Sequence, residues 1–239
     1  MVQTPIPPHI LYPDSDGQPM AENTLQYDWI VRLVSNLRRL FVNQQVFVAG
    51  DLLWYPVQVD KPPAPAQAPD AMVVFGRPPG YRGSYKQWEE DNIAPQVVFE
   101  ILSPSNTRSE MLAKQTFYQK HGVLEMFFYD PESYDFWGFV REEEGEDFVL
   151  ITPLHLPWTS PRLQIRFELG AEGLRIFYPN GEHFKDPGEF MEERDLIQQE
   201  RDQIQQERDQ IQQERDQIQQ ERDRALAKLR ELGIDPDAL

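Results

Sequence analysis

The arrangement of apolar and polar positions between Pro95 and Glu132 carries the clearest structural signal in the chain. Val97, Val98, Phe99, Ile101 and Leu102 form a short apolar run, the pattern of a strand buried on both faces. Ser105, Asn106 and Thr107 follow, all residue types suited to an N-cap. Ala113, Lys114, Phe117, Tyr118 and His121 then recur at helical spacing and define a face that packs on a sheet. Gly122 stands just past the last turn, where a left-handed residue is needed. The segment therefore reads as strand, loop, helix, tight exit and strand.

The same reasoning places a helix from about Asn23 to Asn43, with Leu25, Trp29, Ile30, Leu33, Leu37, Leu40 and Phe41 as its apolar stripe. Val46–Ala49 and Leu52–Val57 read as strands joined at Gly50-Asp51. A proline-rich connector, Lys61–Pro69, leads to a short apolar strand, Ala71–Phe75, with Asp70 at its entrance. Phe136–Val140 and Phe148–Thr152 suggest a hairpin around the acidic turn Glu142–Asp147. Strands at Leu163–Leu169 and Leu174–Tyr178 complete the pattern, and Asn180-Gly181 is a turn signal.

From Glu193 onward a seven-residue unit, ERDQIQQ with variations, repeats. Good helix formers dominate, and Gln198 stands four residues before Asp202, as do its successors, a spacing that supports helix. Ile197, Ile204, Ile211 and Ile218 keep heptad register, but the other core position is charged: Glu if isoleucine is at a, Arg if it is at d. A weak coiled coil and a solvated single helix both fit. The end, ALAKLRELGIDPDAL, is more amphipathic and stops at Gly233 and Pro236. The expected organisation is an N-terminal arm over residues 1–21, a domain over 22–188 and a heptad helix over 189–239.

Charge narrows the partners. The formal net charge is −17, and acidic residues outnumber basic ones both before residue 190 and after it. That disfavours tight non-specific binding to nucleic acid, whose affinity rests on cations that displace phosphate counterions, but it leaves room for a local basic cleft. Arg77–Asp91 interleaves Arg77, Arg82 and Lys86 with Tyr81, Tyr85 and Trp88. Such a loop either holds phosphates and stacks bases or packs its aromatics on the domain. There is no cysteine, so no disulfide or cysteine zinc site. The four histidines, at 9, 121, 155 and 183, show no metal-ligand spacing. No apolar run is long enough to span a membrane, and the start lacks the pattern of a signal peptide. A soluble, cytoplasmic protein is expected.

The candidate chemistry lies in two acids. Glu100 sits inside a buried run, where a carboxylate must shift its pKa, pair with a cation or bind a metal. Lys114, on the packed face of the next helix, is a candidate partner at the end of the sheet. Asp70 and Glu100 converging there suit a hard divalent cation, Mg²⁺ or Mn²⁺, through oxygen ligands. Such an ion polarises a phosphodiester and acidifies a water, with the ammonium stabilising the developing charge. A purely structural Glu–Lys pair has the same sequence pattern.

The segments APDAMVVF (68–75), PQVVFEILSPSN (95–106), the helix carrying Lys114 and Tyr118, GVLEMFFYDP (122–131) and LRIFYPNG (174–181) resemble the Uma family of bacterial restriction-endonuclease-like proteins, within the PD-(D/E)xK nuclease superfamily. The resemblance spans roughly residues 20–185 and implies a mixed α/β fold, a central mixed sheet flanked by helices. By match, Asp70 is the Asp of the PD motif and Glu100 the acidic residue of the E-x-K half-motif. Leu102 stands where the superfamily has lysine, which puts that role on Lys114. Glu22 corresponds to an acidic residue that assists the metal in some relatives, although the dipole of the first helix also explains it.

The resemblance thus implies an Mg²⁺- or Mn²⁺-dependent endonuclease acting on DNA, with Asp70 and Glu100 as metal ligands. The alternatives are a catalytically silent nuclease-fold scaffold or regulator, and a metal-dependent phosphodiesterase with another substrate. Homodimer formation or a helical partner would run through residues 193–232.

Overall fold

The computed structural model describes residues 11–17 and 19–231. The chain separates into two compact units, Met1–Pro187 and Gly188–Leu239.

In the first unit, α1 (Thr24–Leu40) begins at Asn23, whose side chain accepts from the Gln26 N–H. Its buried residues include Trp29, Ile30, Leu33 and Leu37, as the stripe predicts. Leu25 is exposed and Gln26 is buried instead, because the first turn meets a strand end where a polar partner is available. β1 (Val46–Ala49), β2 (Trp54–Tyr55), β3 (Ala71–Phe75), β4 (Tyr85–Lys86) and β5 (Val97–Ile101) follow. Next come α2 (Arg108–Lys120), β6 (Glu125–Asp130), β7 (Asp135–Val140), β8 (Val149–Ile151), β9 (Trp158–Thr159), β10 (Arg166–Gly170) and β11 (Gly173–Phe177).

The central mixed sheet has the order β1-β3-β5-β6-β7-β8. Its one parallel pair, β5 with β6, is joined through α2; the other pairs are antiparallel. Alternation along β5 sends Val97, Phe99 and Ile101 to a core shared with α1 and the β9–β11 sheet. Val98 packs on the opposite face, against Tyr118 of α2 and Trp54 of β2. Both faces are therefore covered, which explains why β3 is apolar throughout and β5 is buried at every position.

β1 and β2 are not partners across Gly50-Asp51. β1 pairs with β3 and β2 pairs in parallel with β4, so only Trp54 and Tyr55 of the expected Leu52–Val57 strand are extended in a ladder. The two strands joined at Gly50-Asp51 thus belong to different sheets, and the Asp51 N–H donates to the Pro69 carbonyl where the chain leaves β1.

α2 starts at Thr107, which forms a capping box with Glu110. Gly122 adopts φ 94°, the left-handed exit expected of it. Met111, rather than Ala113, lies on the buried face with Tyr118; Ala113 is exposed.

The Arg77–Asp91 loop pairs its own charges and packs on the domain. Arg82 donates to Glu90 from Nε at 2.5 Å and from Nη2 at 3.1 Å, and lies over the Phe47 ring. Arg77 binds Glu90 and Asp91. Tyr85 is buried with its hydroxyl donating to the Ile93 carbonyl, and Trp88 packs on Tyr12. Only Tyr81, 95% exposed, is free of the domain among these aromatics. The packed-loop alternative describes this segment.

The described residues of the second unit form a helix, α3 (Pro187–Glu231). Gln198, Gln205, Gln212 and Gln219 each donate to the aspartate four residues on, at 2.7–3.2 Å. The four heptad isoleucines are exposed. The expected stop at Gly233 and Pro236, the first ten residues of the arm, and His9 lie outside the described residues. Among the described residues, no helix is long and apolar enough to cross a membrane.

Candidate active site

The site forms where β3 begins and β5 ends. Because β3 runs antiparallel to β5, with Ala71 opposite Phe99, the residue before β3 lies beside the end of β5. Asp70 Oδ2 accepts from the Ile101 N–H at 2.6 Å. Glu100 points to the opposite face from Phe99 and Ile101, toward α2, and is 2% exposed. There Lys114 Nζ donates to its Oε2 at 2.6 Å, and the Tyr118 hydroxyl donates to its Oε1. Lys114 and Tyr118 are four residues apart, hence neighbours on one helix face.

The electrostatics are those of two carboxylates sharing one ammonium. Burial and the neighbouring Glu100 charge push the Asp70 carboxyl well above the ordinary range, against Lys114 and the Ile101 N–H. Burial also raises Glu100, although Lys114 and Tyr118 favour its charged form. For Lys114, burial opposes the charge, but the carboxylates of Glu100 and Asp70 outweigh it and hold the ammonium above its usual value. One positive charge between two negative ones leaves the site short of cations.

In front of Asp70 and Lys114 opens a cavity of ≈ 360 Å³. Glu22, Asp51 and Glu110 also line it. Glu22 stands just before α1, where Ser103 Oγ donates to its Oε2 at 2.6 Å and Ser105 binds the same oxygen. These hydroxyls hold its carboxyl below the ordinary value. Gln26 ties the helix start to the site, donating from Nε2 to the Ile101 carbonyl at 2.8 Å and accepting from the Glu22 N–H. Sequence reasoning singled out Asp70, Glu100, Lys114 and Glu22, and all four meet at this end of the sheet. It missed Asp51, Gln26, Ser103 and Ser105 as site residues; the two serines lie inside the 95–106 segment, whereas Asp51 and Gln26 carry no local signal of the site.

The family model for Uma2, described as a putative restriction endonuclease, matches residues 7–172, which contain the whole of this constellation. The chain belongs to the Uma2 family. The family's description is that of a nuclease, at the coarse level of a hydrolase of phosphodiester bonds. The LRIFYPNG segment (174–181) falls beyond the matched span and α3 lies wholly outside it. The chain is also similar to a crystal structure described as a putative nuclease belonging to DUF820 from Anabaena variabilis. The identity is 16%, the similarity covers 63% of this chain and 81% of that one, and the TM-score is 0.43. No curated protein matches the chain.

The G-V-x-E motif has a different place from the site acids. Glu125, at the start of β6, is fully buried and accepts from Ser160 Oγ at 2.5 Å and the Arg162 N–H at 2.9 Å. It anchors the β9–β10 connection to the central sheet.

Proposed function

We propose that this Uma2-family chain is a metal-dependent endonuclease that hydrolyses DNA phosphodiester bonds at the cavity lined by Asp70 and Lys114. The observation that carries the proposal is the meeting of Asp70, Glu100 and Lys114 at one end of the sheet, from three separate elements.

The donor set fits Mg²⁺ or Mn²⁺. Every acidic group at the site offers hard oxygen donors, and burial with the neighbouring Glu100 charge opposes ionisation of Asp70, a cost that a bound cation offsets. Asp70 would hold the ion from the cavity wall, and Glu100, which lies behind that wall with its oxygens on Lys114 and Tyr118, would join it by releasing one of those partners. When bound, a divalent cation supplies Lewis-acid polarisation of the phosphodiester and a more acidic water.

The chain's own residues do the rest. Lys114 keeps its proton and offers positive charge at the cavity wall, where charge develops on the phosphoryl oxygens. Glu100 and Tyr118 fix the direction of that ammonium. The Ile101 N–H holds one oxygen of Asp70 and so orients its carboxylate.

Cleavage of supercoiled plasmid with Mg²⁺ or Mn²⁺ tests this reading. The wild type is expected to nick, and Asp70→Ala and Glu100→Ala to lose nicking while remaining folded. A wild type that neither cleaves nor is stabilised by either metal would overturn it.

A further inference from the structure

The Gly50-Asp51 pair reads in sequence as a simple turn. In the structure it is pressed against the start of β3. Ala49 pairs with Met72, so the exit of β1 and the entrance of β3 lie side by side. The Asp51 N–H donates to the Pro69 carbonyl at 3.0 Å. Gly50 admits no side chain: a Cβ there would stand 2.7 Å from Val34 Cγ2 and 3.0 Å from the Asp70 carbonyl oxygen. Asp51 itself holds φ 47°, in the left-handed region that a glycine adopts at lower cost.

This backbone delivers a half-buried carboxylate to the wall of the cavity that Asp70 and Lys114 line. Among the described residues the Asp51 carboxylate accepts no hydrogen bond. Burial and the charge of Asp16 push it above its ordinary value. Lys114 is already held by Glu100. Among the described residues the wall therefore gathers Asp16, Glu22, Asp51, Asp70 and Glu110 around a single committed ammonium, an arrangement that attracts a cation and repels a bare phosphate.

We propose that Asp51 is a further acidic residue of the divalent-cation seat, accepting hydrogen bonds from the hydration shell of an ion that Asp70 ligates. The proposal rests on the metal-dependent reading of the site. Contact through water follows from two facts. Among the described residues no three His, Cys, Asp or Glu side chains form a group able to hold one ion directly. Mg²⁺ and its analogues also retain several waters, and a cavity of ≈ 360 Å³ has room for them.

The test is Mn²⁺ binding to the full chain, followed by the electron paramagnetic resonance of free Mn²⁺, for wild type, D51N, D51G and D70N. Asp51→Asn keeps the side-chain shape and removes the charge. Asp51→Gly relieves the left-handed backbone and is expected to leave the melting temperature in the absence of metal unchanged or higher. Both are expected to weaken Mn²⁺ binding by about 10-fold to 100-fold, the usual effect of removing an outer-shell partner, while D70N abolishes it. If D51N and D51G bind as the wild type does and D70N does not, Asp51 is only a turn residue and the metal reading stands. If the wild type itself fails to bind Mn²⁺, both fall together.

Discussion

Lys114 of α2 donates to Glu100 of β5 at 2.6 Å, joining a helix to a buried strand carboxylate that has no other cation partner among the described residues. The pair does two things at once: it compensates a charge buried in the sheet and it aims an ammonium at the cavity. Removing one partner of such a pair leaves the other uncompensated, at about 3 kcal/mol. Lys114→Met is therefore expected to lower stability to urea by about that much and to abolish nicking. The double variant Lys114→Met, Glu100→Gln is expected to be less destabilised than the two single changes added together. A urea double-mutant cycle measures the coupling, and additive losses would contradict it.

Tyr118 shares Glu100 with Lys114 but does not line the cavity. Tyr118→Phe removes one donor to a buried acceptor, which costs about 1–3 kcal/mol. Lys114 still holds Glu100 in this variant. Stability is expected to fall while metal-dependent cleavage at low temperature persists. Loss of cleavage with an intact fold would instead give the hydroxyl a part in the reaction.

Glu125 reports on pH. Burial raises its carboxyl above the ordinary glutamate value, against the hydrogen bonds from Ser160 and Arg162. A carboxyl raised in the folded state binds its proton more tightly folded than unfolded. Ionisation therefore destabilises the fold as pH rises through the window between the ordinary and the raised value. Measured against Glu125→Gln, the wild type is expected to gain melting temperature as pH falls from about 7 toward about 4.5, and to gain nothing further below the unfolded value. A difference that is flat across that window would show that Glu125 is not shifted in this sense.

Asn36 is a buried polar hub on α1. Its Oδ1 accepts from the Tyr178 hydroxyl at 2.7 Å and the Lys185 N–H at 2.8 Å, and its Nδ2 donates to the Arg32 and Lys185 carbonyls. Asn36→Leu leaves two donors without this acceptor, at ~1–3 kcal/mol each. The expected loss is about 3 kcal/mol in urea unfolding, with no direct effect on metal binding at the other end of the helix. A loss below about 1 kcal/mol would mean that water replaces the amide.

How much of this was legible follows from the range of each signal. The periods of two and 3.6 are properties of neighbouring residues, so β3, β5, α1, α2 and the heptad helix could be read directly, as could the need of Glu100 for a partner and the presence of Lys114 on the packed face of the next helix. Asp51 was not legible as a site residue. Its position depends on β1 lying beside β3 rather than pairing with the residues that follow it, and strand order is decided by which faces are buried together. The same holds for Arg82, whose loop the sequence leaves open between phosphate contact and packing on the domain, and whose charge is consumed by Glu90 in space. Asn36 and the link between Glu125 and Ser160 join residues 142 or more and 35 positions apart, beyond any local pattern. The sequence by itself determined the elements and the buried acid, because periodicity and desolvation act along the chain. Tertiary structure decided which acids share the cavity and which charges are already paired, because packing and electrostatics act through space.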